Sequence, residues 1–341
     1  MDCSYCVHEK KDRSMSDEVL FAACDYIFQS GKTAGICFFG GEPLLRKDAI
    51  YKAVSYCQTR ANETGIPFSC KMTTNGTLLD EAFIDYAKEI NLSIGLSFDG
   101  LGQNRCRCYA DGSGTFSDLE QTAQLLLQKM PETCAMMTIA PEVVDTYAAS
   151  VAYLYQLGFR RITATPAYGK RVHWTDSHLE QLQEELKKTA TFYESCFVKG
   201  EPFYFGPFNS KIQENIRGRC AGEHCHLGLR QMPVATDGTL YPCTQFIGDP
   251  DYRMGDVFHG LDKAQVRKLA QRDATPESCR DCALKNRCTN SCGCMNRLET
   301  GNENVVSALQ CTYEQMLIGV CDALAERLIQ ENEALFVKKF A

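Results

Sequence analysis

Two cysteines separated by two residues, Cys3 and Cys6 in the segment MDCSYC, stand about one helix ahead of an apolar run and turn, FFGGEPLL, at residues 38–45. Thiolates are soft ligands suited to iron–sulfur clusters or zinc, and a CxxC loop can bring two sulfurs to one metal centre. Gly40 and Gly41 let the backbone approach a ligand closely, while Glu42 and Pro43 stiffen the turn. A second concentration of thiols begins near residue 219: Cys220, Cys225, Cys243, Cys279, Cys282, Cys288, Cys292, Cys294 and Cys311, with glycine and proline between them. Cys279, Cys282, Cys288 and Cys292 alone could form a structural zinc site, which leaves Cys220, Cys225, Cys243 and Cys311 unexplained. Eight thiolates make two four-ligand sites, and the separation of Cys243 from the later run calls for an interleaved pairing.

The chain that carries these thiols has 341 residues, 44% hydrophobic and 23% charged, enough for one large or two moderate folded domains. Its formal net charge of −7 argues against general nucleic-acid affinity, which needs clustered basic residues. No stretch of about 18 apolar residues exists, and no basic segment followed by an apolar core opens the chain, so no membrane partner and no signal peptide are expected. Many of its 20 cysteines cluster at metal-ligand spacings, in a chain long enough to bury a core without disulfides, which fits a reducing cytoplasm. Cys24, Cys37, Cys57, Cys70, Cys134, Cys196 and Cys321 lie mostly in apolar runs and are expected in the core.

The elements that must position the first group alternate. Helices are expected over residues 16–30, 48–60, 80–90, 117–129 and 144–157, and strands over 36–39, 67–73, 92–98, 134–139 and 161–165. Helix–strand alternation predicts an α/β fold with parallel strands joined by crossovers, and ligands then sit at the carboxyl ends of the strands. GGEP, TTNG and SFDG all fall there. The alternation stops after residue 165; residues 176–198 read as an amphipathic helix bridging two domains. The aromatic stretch 202–208 reads as core or interface, with a substrate channel as the other possibility. Asp237-Gly238 in TDGTLYPC predicts a hairpin turn presenting Cys243, and a last helix is expected from residue 312 to about 335.

At Cys3, Cys6 and GGEP the chain resembles the radical S-adenosylmethionine (radical SAM) enzymes, whose signature is CxxxCxxC followed by a GGEP-type motif. The family's first cysteine would lie two positions ahead of Met1; the expectation is that Met1 is an internal methionine or that an upstream strand was lost. The resemblance implies a partial (β/α)6 barrel over residues 1–170 lacking its first strand, in which three thiolates hold a [4Fe-4S] cluster that binds S-adenosylmethionine. It implies cofactor contacts at Gly40, Gly41, Glu42 and Ser97. Counting nine residues back from Phe116 gives Arg107 for the carboxylate or ribose, where a guanidinium fork can make two charge-assisted hydrogen bonds. Arg107 also reads as a solvated loop charge, Asn75 as either a pocket or a turn residue, and Asp99 as a turn-former.

After a bridging segment at residues 171–215, residues 216–311 resemble the SPASM domain of peptide-modifying radical SAM enzymes, and residues 312–341 form the closing helix. The resemblance implies two auxiliary [4Fe-4S] clusters, one held by Cys220, Cys225, Cys243 and Cys292, with Cys294 a possible substitute for Cys292, the other by Cys279, Cys282, Cys288 and Cys311. It implies hydrogen abstraction from a peptide or protein substrate by a 5′-deoxyadenosyl radical, with an external electron donor such as flavodoxin or ferredoxin. A maturase of ribosomally made peptides is the first expectation and an anaerobic sulfatase-maturing enzyme the second. In the latter an aspartate follows the YPC cysteine and is thought to act as base; here Thr244 stands there, and Asp249, Asp251 or Asp256 could substitute. No catalytic residue is assigned. A reading from another class is a zinc-stabilised binding module on an inactive barrel.

Overall fold

The computed structural model describes residues 1–8, 12–217, 225–229 and 231–340. Its first half is a helix–strand alternation in which helix α1 (Asp17–Phe28) precedes strand β2 (Ala34–Phe38). Then follow α2 (Lys47–Thr64), β3 (Phe68–Thr74), α3 (Glu81–Glu89) and β4 (Ser93–Ser97). A short α4 (Gln103–Cys106) and β5 (Arg107–Cys108) lead to α5 (Phe116–Lys129), β6 (Cys134–Ile139), α6 (Tyr147–Leu157) and β7 (Arg161–Pro166). The helix starts are fixed by local chemistry: the Ser16 side chain accepts from the Val19 backbone N–H, and Asp80 accepts from that of Phe83.

Six strands form one parallel sheet in the order β2-β3-β4-β6-β7-β8, the last being the two residues Tyr204–Phe205. This is the curved parallel sheet of an open α/β barrel. Buried side chains alternate along β3, β4 and β6, packing against the flanking helices in one continuous core that contains Met72, Phe83, Leu96, Leu126 and Leu154. The long α7 (Asp176–Val198) and α8 (Gly206–Ile216) cover the β7–β8 end, and the C-terminal α11 (Ala308–Phe340) packs against both. Phe203, Phe205 and Phe208, from the aromatic stretch, are buried in that core.

A two-residue strand β1 (Asp2–Cys3) pairs antiparallel with β5, away from the main sheet. The second half carries a three-stranded antiparallel sheet of β9 (Thr239–Leu240), β10 (Gly255–Asp256) and β11 (Gly260–Leu261), with α9 (Lys263–Ala270) and α10 (Gly293–Thr300). Its own core, including Leu240, Phe246, Tyr252, Met254 and Leu269, also takes in Val19 from α1. Helix α1 therefore joins the two halves. Of the cysteines expected in the core, Cys24, Cys57, Cys70, Cys196 and Cys321 are buried. Cys37 is exposed, because alternation along β2 turns it to the face opposite Ala34 and Ile36, on an edge strand.

Candidate functional site

The CxxC loop and the loops after β2, β3 and β4 meet at the carboxyl end of the sheet. Gly40 has φ +143°, a conformation that side chains disfavour, and added Cβ atoms at Gly40 or Gly41 would meet nothing within 4 Å. Backbone N–H and C=O groups are thus open to a ligand there. The Glu42 carboxylate accepts hydrogen bonds from Thr74 Oγ1 (2.6 Å), the Asn75 N–H (2.7 Å) and the Leu44 N–H (3.1 Å), so it ties the GGEP turn to the end of β3. The Asn75 side chain accepts from the Thr77 N–H and hydroxyl, as a turn residue does. Ser97 is the last residue of β4, half-buried at the same rim.

A buried polar chain runs beneath these loops. Tyr5, between the two cysteines, donates its hydroxyl proton to Asp99 Oδ2 (2.5 Å) and accepts from Arg107 Nη1 (2.8 Å). The Thr138 N–H on β6 donates to Asp99 Oδ1 (2.8 Å), and Arg107 Nη1 lies 3.9 Å from the same oxygen. Asp99 is only 3% exposed and Arg107 7%. Burial pushes the Asp99 carboxyl up, against the pull of Arg107 and Tyr5. It pushes the Tyr5 phenol up as well, with Asp99 adding to the effect. Burial would lower Arg107, but Tyr5 and Asp99 together hold it above its ordinary value. Arg107 Nε is buried with no hydrogen-bond partner, a donor left for something else at this spot. Arg105, by contrast, pairs with Asp145 at the surface. Asp99 and Tyr5 were the residues sequence reasoning missed here; an aspartate before glycine looks like any turn, and only burial reveals its role.

Two thiol groups lie in the second half. Cys279, Cys282, Cys288 and Cys311 line one small cavity, together with Asn290, Glu314 and Gln315. Gln315 Nε2 donates to Cys311 Sγ at 3.2 Å. Burial lifts the Cys288 thiol to about 12, with Glu314 adding and Lys211 opposing. Cys292 is not in that lining. It belongs to another group with Cys225, Cys243 and Cys294: the Cys292 and Cys294 sulfurs are 3.5 Å apart. Hydrogen bonds from Cys225 and Cys294 lower the Cys292 thiol, and one from Cys294 lowers that of Cys243. The hairpin at residues 234–240 closes through the Ala235 and Thr239 backbones and delivers Cys243 to this group. Cys220 lies outside the described residues.

The barrel touches this second group directly. After β7, the Tyr168 hydroxyl faces the Cys294 sulfur, the Gly169 N–H donates to Glu299 on α10, and a Cβ at Gly169 would meet Val7 Cγ1 at 3.1 Å. One loop thus contacts the segment after Cys6 on one side and the thiol group on the other.

An open parallel barrel with a thiol pair at its mouth, and two further thiol groups behind it, defines a class of cysteine-ligated enzymes. The radical SAM superfamily model matches residues 1–154, and the chain belongs to that superfamily, whose cofactors are [4Fe-4S] clusters and S-adenosylmethionine. The chain is 23% identical over 341 residues to the cysteine-type anaerobic sulfatase-maturating enzyme of Clostridium perfringens, covering 92% of this chain and 89% of that one. It is 32% identical over 253 residues to an uncharacterized protein of Methanocaldococcus jannaschii, covering 73% of this chain and 82% of the relative. Among solved structures, anSMEcpe with bound AdoMet superposes with a TM-score of 0.81 at 21% identity over 97% of this chain and 95% of that chain. Streptococcus suis SuiB bound to its precursor peptide SuiA gives 0.63 at 13% identity, over 91% and 72%. These likenesses establish the fold.

Proposed function

We propose that this radical SAM enzyme modifies a side chain of a peptide or protein, acting as a maturase of a ribosomally made peptide. Bound at a reduced [4Fe-4S] cluster, S-adenosylmethionine would supply hydrogen-atom abstraction from the substrate, with one electron drawn from that cluster. Cys3 and Cys6 would supply two of the three thiolates of the cluster that binds it. The open backbone at Gly40, Gly41 and Glu42 suits the methionyl amine, with Ser97 and Asn75 at the rim and the Arg107 fork for the carboxylate or ribose. Cys220, Cys225, Cys243 and Cys292 would hold the first auxiliary cluster, and Cys279, Cys282, Cys288 and Cys311 the second. The observation that carries this reading is the single cavity lined by the last four thiols, with Cys292 outside it; a contiguous four-cysteine zinc site would need Cys292 inside.

A peptide occupant is in keeping with relatives named for sulfatase maturation and with SuiB bound to a precursor peptide. A flavodoxin or ferredoxin would supply electrons in a reducing cytoplasm; the cysteines described are all free thiols, and among the described residues no helix is long and apolar enough to cross a membrane. Formylglycine formation is the second reading, favoured by the likeness to sulfatase-maturating enzymes along almost the full chain. Against it, Thr244 follows Cys243, and the nearby acids are engaged elsewhere: Asp249 and Asp251 lie 3.6 and 3.8 Å from Arg297, and Asp256 is 2.9 Å from His259.

The test is anaerobic reconstitution followed by incubation with S-adenosylmethionine, dithionite and either peptides encoded beside its gene or a cysteine- or serine-bearing sulfatase peptide. The maturase reading expects about four irons and four sulfides for each filled site, and a mass change in a neighbouring peptide that parallels 5′-deoxyadenosine release. An aldehyde on the sulfatase peptide alone would favour the second reading. Stoichiometric zinc without sulfide would overturn both.

A further inference from the structure

Eight cysteines satisfy two auxiliary clusters, and Cys294 is the ninth of those between residues 219 and 311. It is buried, yet it is no isolated core thiol. Its sulfur sits 3.5 Å from that of Cys292, it hydrogen-bonds the Cys243 thiol, and the Tyr168 hydroxyl of the barrel faces it.

The local backbone makes this arrangement compact. Cys292 is the N-cap residue of α10 and Cys294 lies in its first turn, so two sulfurs spaced by one residue project from one helix start. The intervening Gly293 allows the segment carrying Cys225 to close in: a Cβ there would meet Arg272 Nη1 at 2.7 Å and Leu227 Cδ2 at 2.9 Å. Two sulfurs 3.5 Å apart can both lie within a metal–thiolate bond length, about 2.3 Å, of a single point. One iron is therefore within reach of either.

We propose that Cys292 and Cys294 are interchangeable ligands of one iron of the first auxiliary cluster. The proposal rests on the reading of that cluster given above. Exchange of one thiolate for the other leaves the iron oxidation state unchanged and moves one proton between the two sulfurs. Its consequence is a cluster that stays fully held when either of the two thiols, on the side nearest Tyr168 and the barrel, is lost.

The experiment compares the whole chain with Cys292→Ala, Cys294→Ala and the double variant, each reconstituted anaerobically. Iron and sulfide per chain and the low-temperature EPR spectrum of the reduced protein are read out. Each single variant is expected to match the parent in iron, and the double variant to lose about four irons. The signal of the second auxiliary cluster, held by separate cysteines, should persist in all three and reports folding. Either single variant losing as much iron as the double, or the double losing none, overturns the proposal. Where alanine empties both clusters, Cys292→Ser decides: parent-like g values support Cys294 taking the iron, and g values shifted by an oxygen ligand at residue 292 overturn it. A parent protein with no iron at all would instead sink the cluster reading itself.

Discussion

Cys3 and Arg107 face each other across a two-residue antiparallel ladder, so a thiol of the CxxC loop and the buried arginine share one piece of backbone. The ladder explains how a guanidinium 104 positions further along the chain is held beside the cysteine loop. If Arg107 receives a carboxylate of the cofactor, its unpartnered Nε and its fork are the groups that meet it. Replacing Arg107 with alanine should weaken S-adenosylmethionine binding by at least tenfold, from the loss of about 1.5–3 kcal/mol for a charged hydrogen bond. Equilibrium dialysis under anaerobic conditions measures it. Unchanged affinity would remove Arg107 from the site, whereas Arg105→Ala, which touches only Asp145 and the Glu142 carbonyl at the surface, should leave binding alone.

Asp99 acts on the same site at one remove. Its carboxylate holds Tyr5 and, through Tyr5, the orientation of Arg107, while also fixing the Thr138 N–H of β6. Asp99→Asn keeps the size and most of the hydrogen bonds but removes the countercharge. We expect about a tenfold loss of cofactor affinity, equivalent to about 1.4 kcal/mol, with the auxiliary-cluster EPR signals unaltered. Tyr5→Phe should give a loss of similar size, since it cuts the same chain at its middle. Loss of the auxiliary signals together with binding would mean that Asp99 supports the fold in general.

These two residues mark where the sequence stops being informative. The strand at residues 134–139 and the helix at 176–198 are legible to the residue because each is long enough to repeat its hydrophobic period. The strands β1, β5 and β8 are two residues each and show no period; their pairing is decided by what the tertiary fold brings alongside. The cysteine spacing is legible because a ligand set constrains the chain that supplies it. Tyr5, Asp99 and Lys211 have no such spacing, and the burial of Asp99 and Lys211 and the partners of Tyr5 are visible only once the elements are packed.

Lys211, on α8, supplies the third prediction. It is 3% exposed, and its ammonium lies 2.8 Å from Glu314 of α11 and 2.5 Å from the Arg287 carbonyl, next to Cys288. Glu314, equally buried, also accepts from the Thr289 hydroxyl and N–H. The pair thus fastens the bridging and closing helices to the loop that carries a thiol of the cavity. Lys211→Met should destabilise the protein by about 3–5 kcal/mol, because it strands a buried carboxylate. Adding Glu314→Gln to that variant should return part of the loss, since the neutral amide needs no countercharge. Urea unfolding of the two variants and the parent checks both steps; equal stability of the single variant and the parent would show that water reaches Glu314.

A pH dependence follows from Asp80, the N-cap of α3. Its carboxylate accepts from Lys47 and from the Phe83 N–H, and both hold its folded pKa below the ordinary 3.8. A depressed carboxylate binds fewer protons in the folded state than in the unfolded one, so stability rises with pH in this window. The contribution is complete above about pH 5 and is lost as pH falls through the lowered folded value. Asp80→Asn retains a capping side chain without the charge, and Asp80→Ala removes the cap at a cost of about 1 kcal/mol. Measured by urea unfolding, the gap between parent and Asp80→Asn should narrow from pH 6 to pH 3, while the gap between the two variants should stay constant. A parent-to-asparagine gap independent of pH would show that the charge adds nothing and that the cap works through its geometry alone.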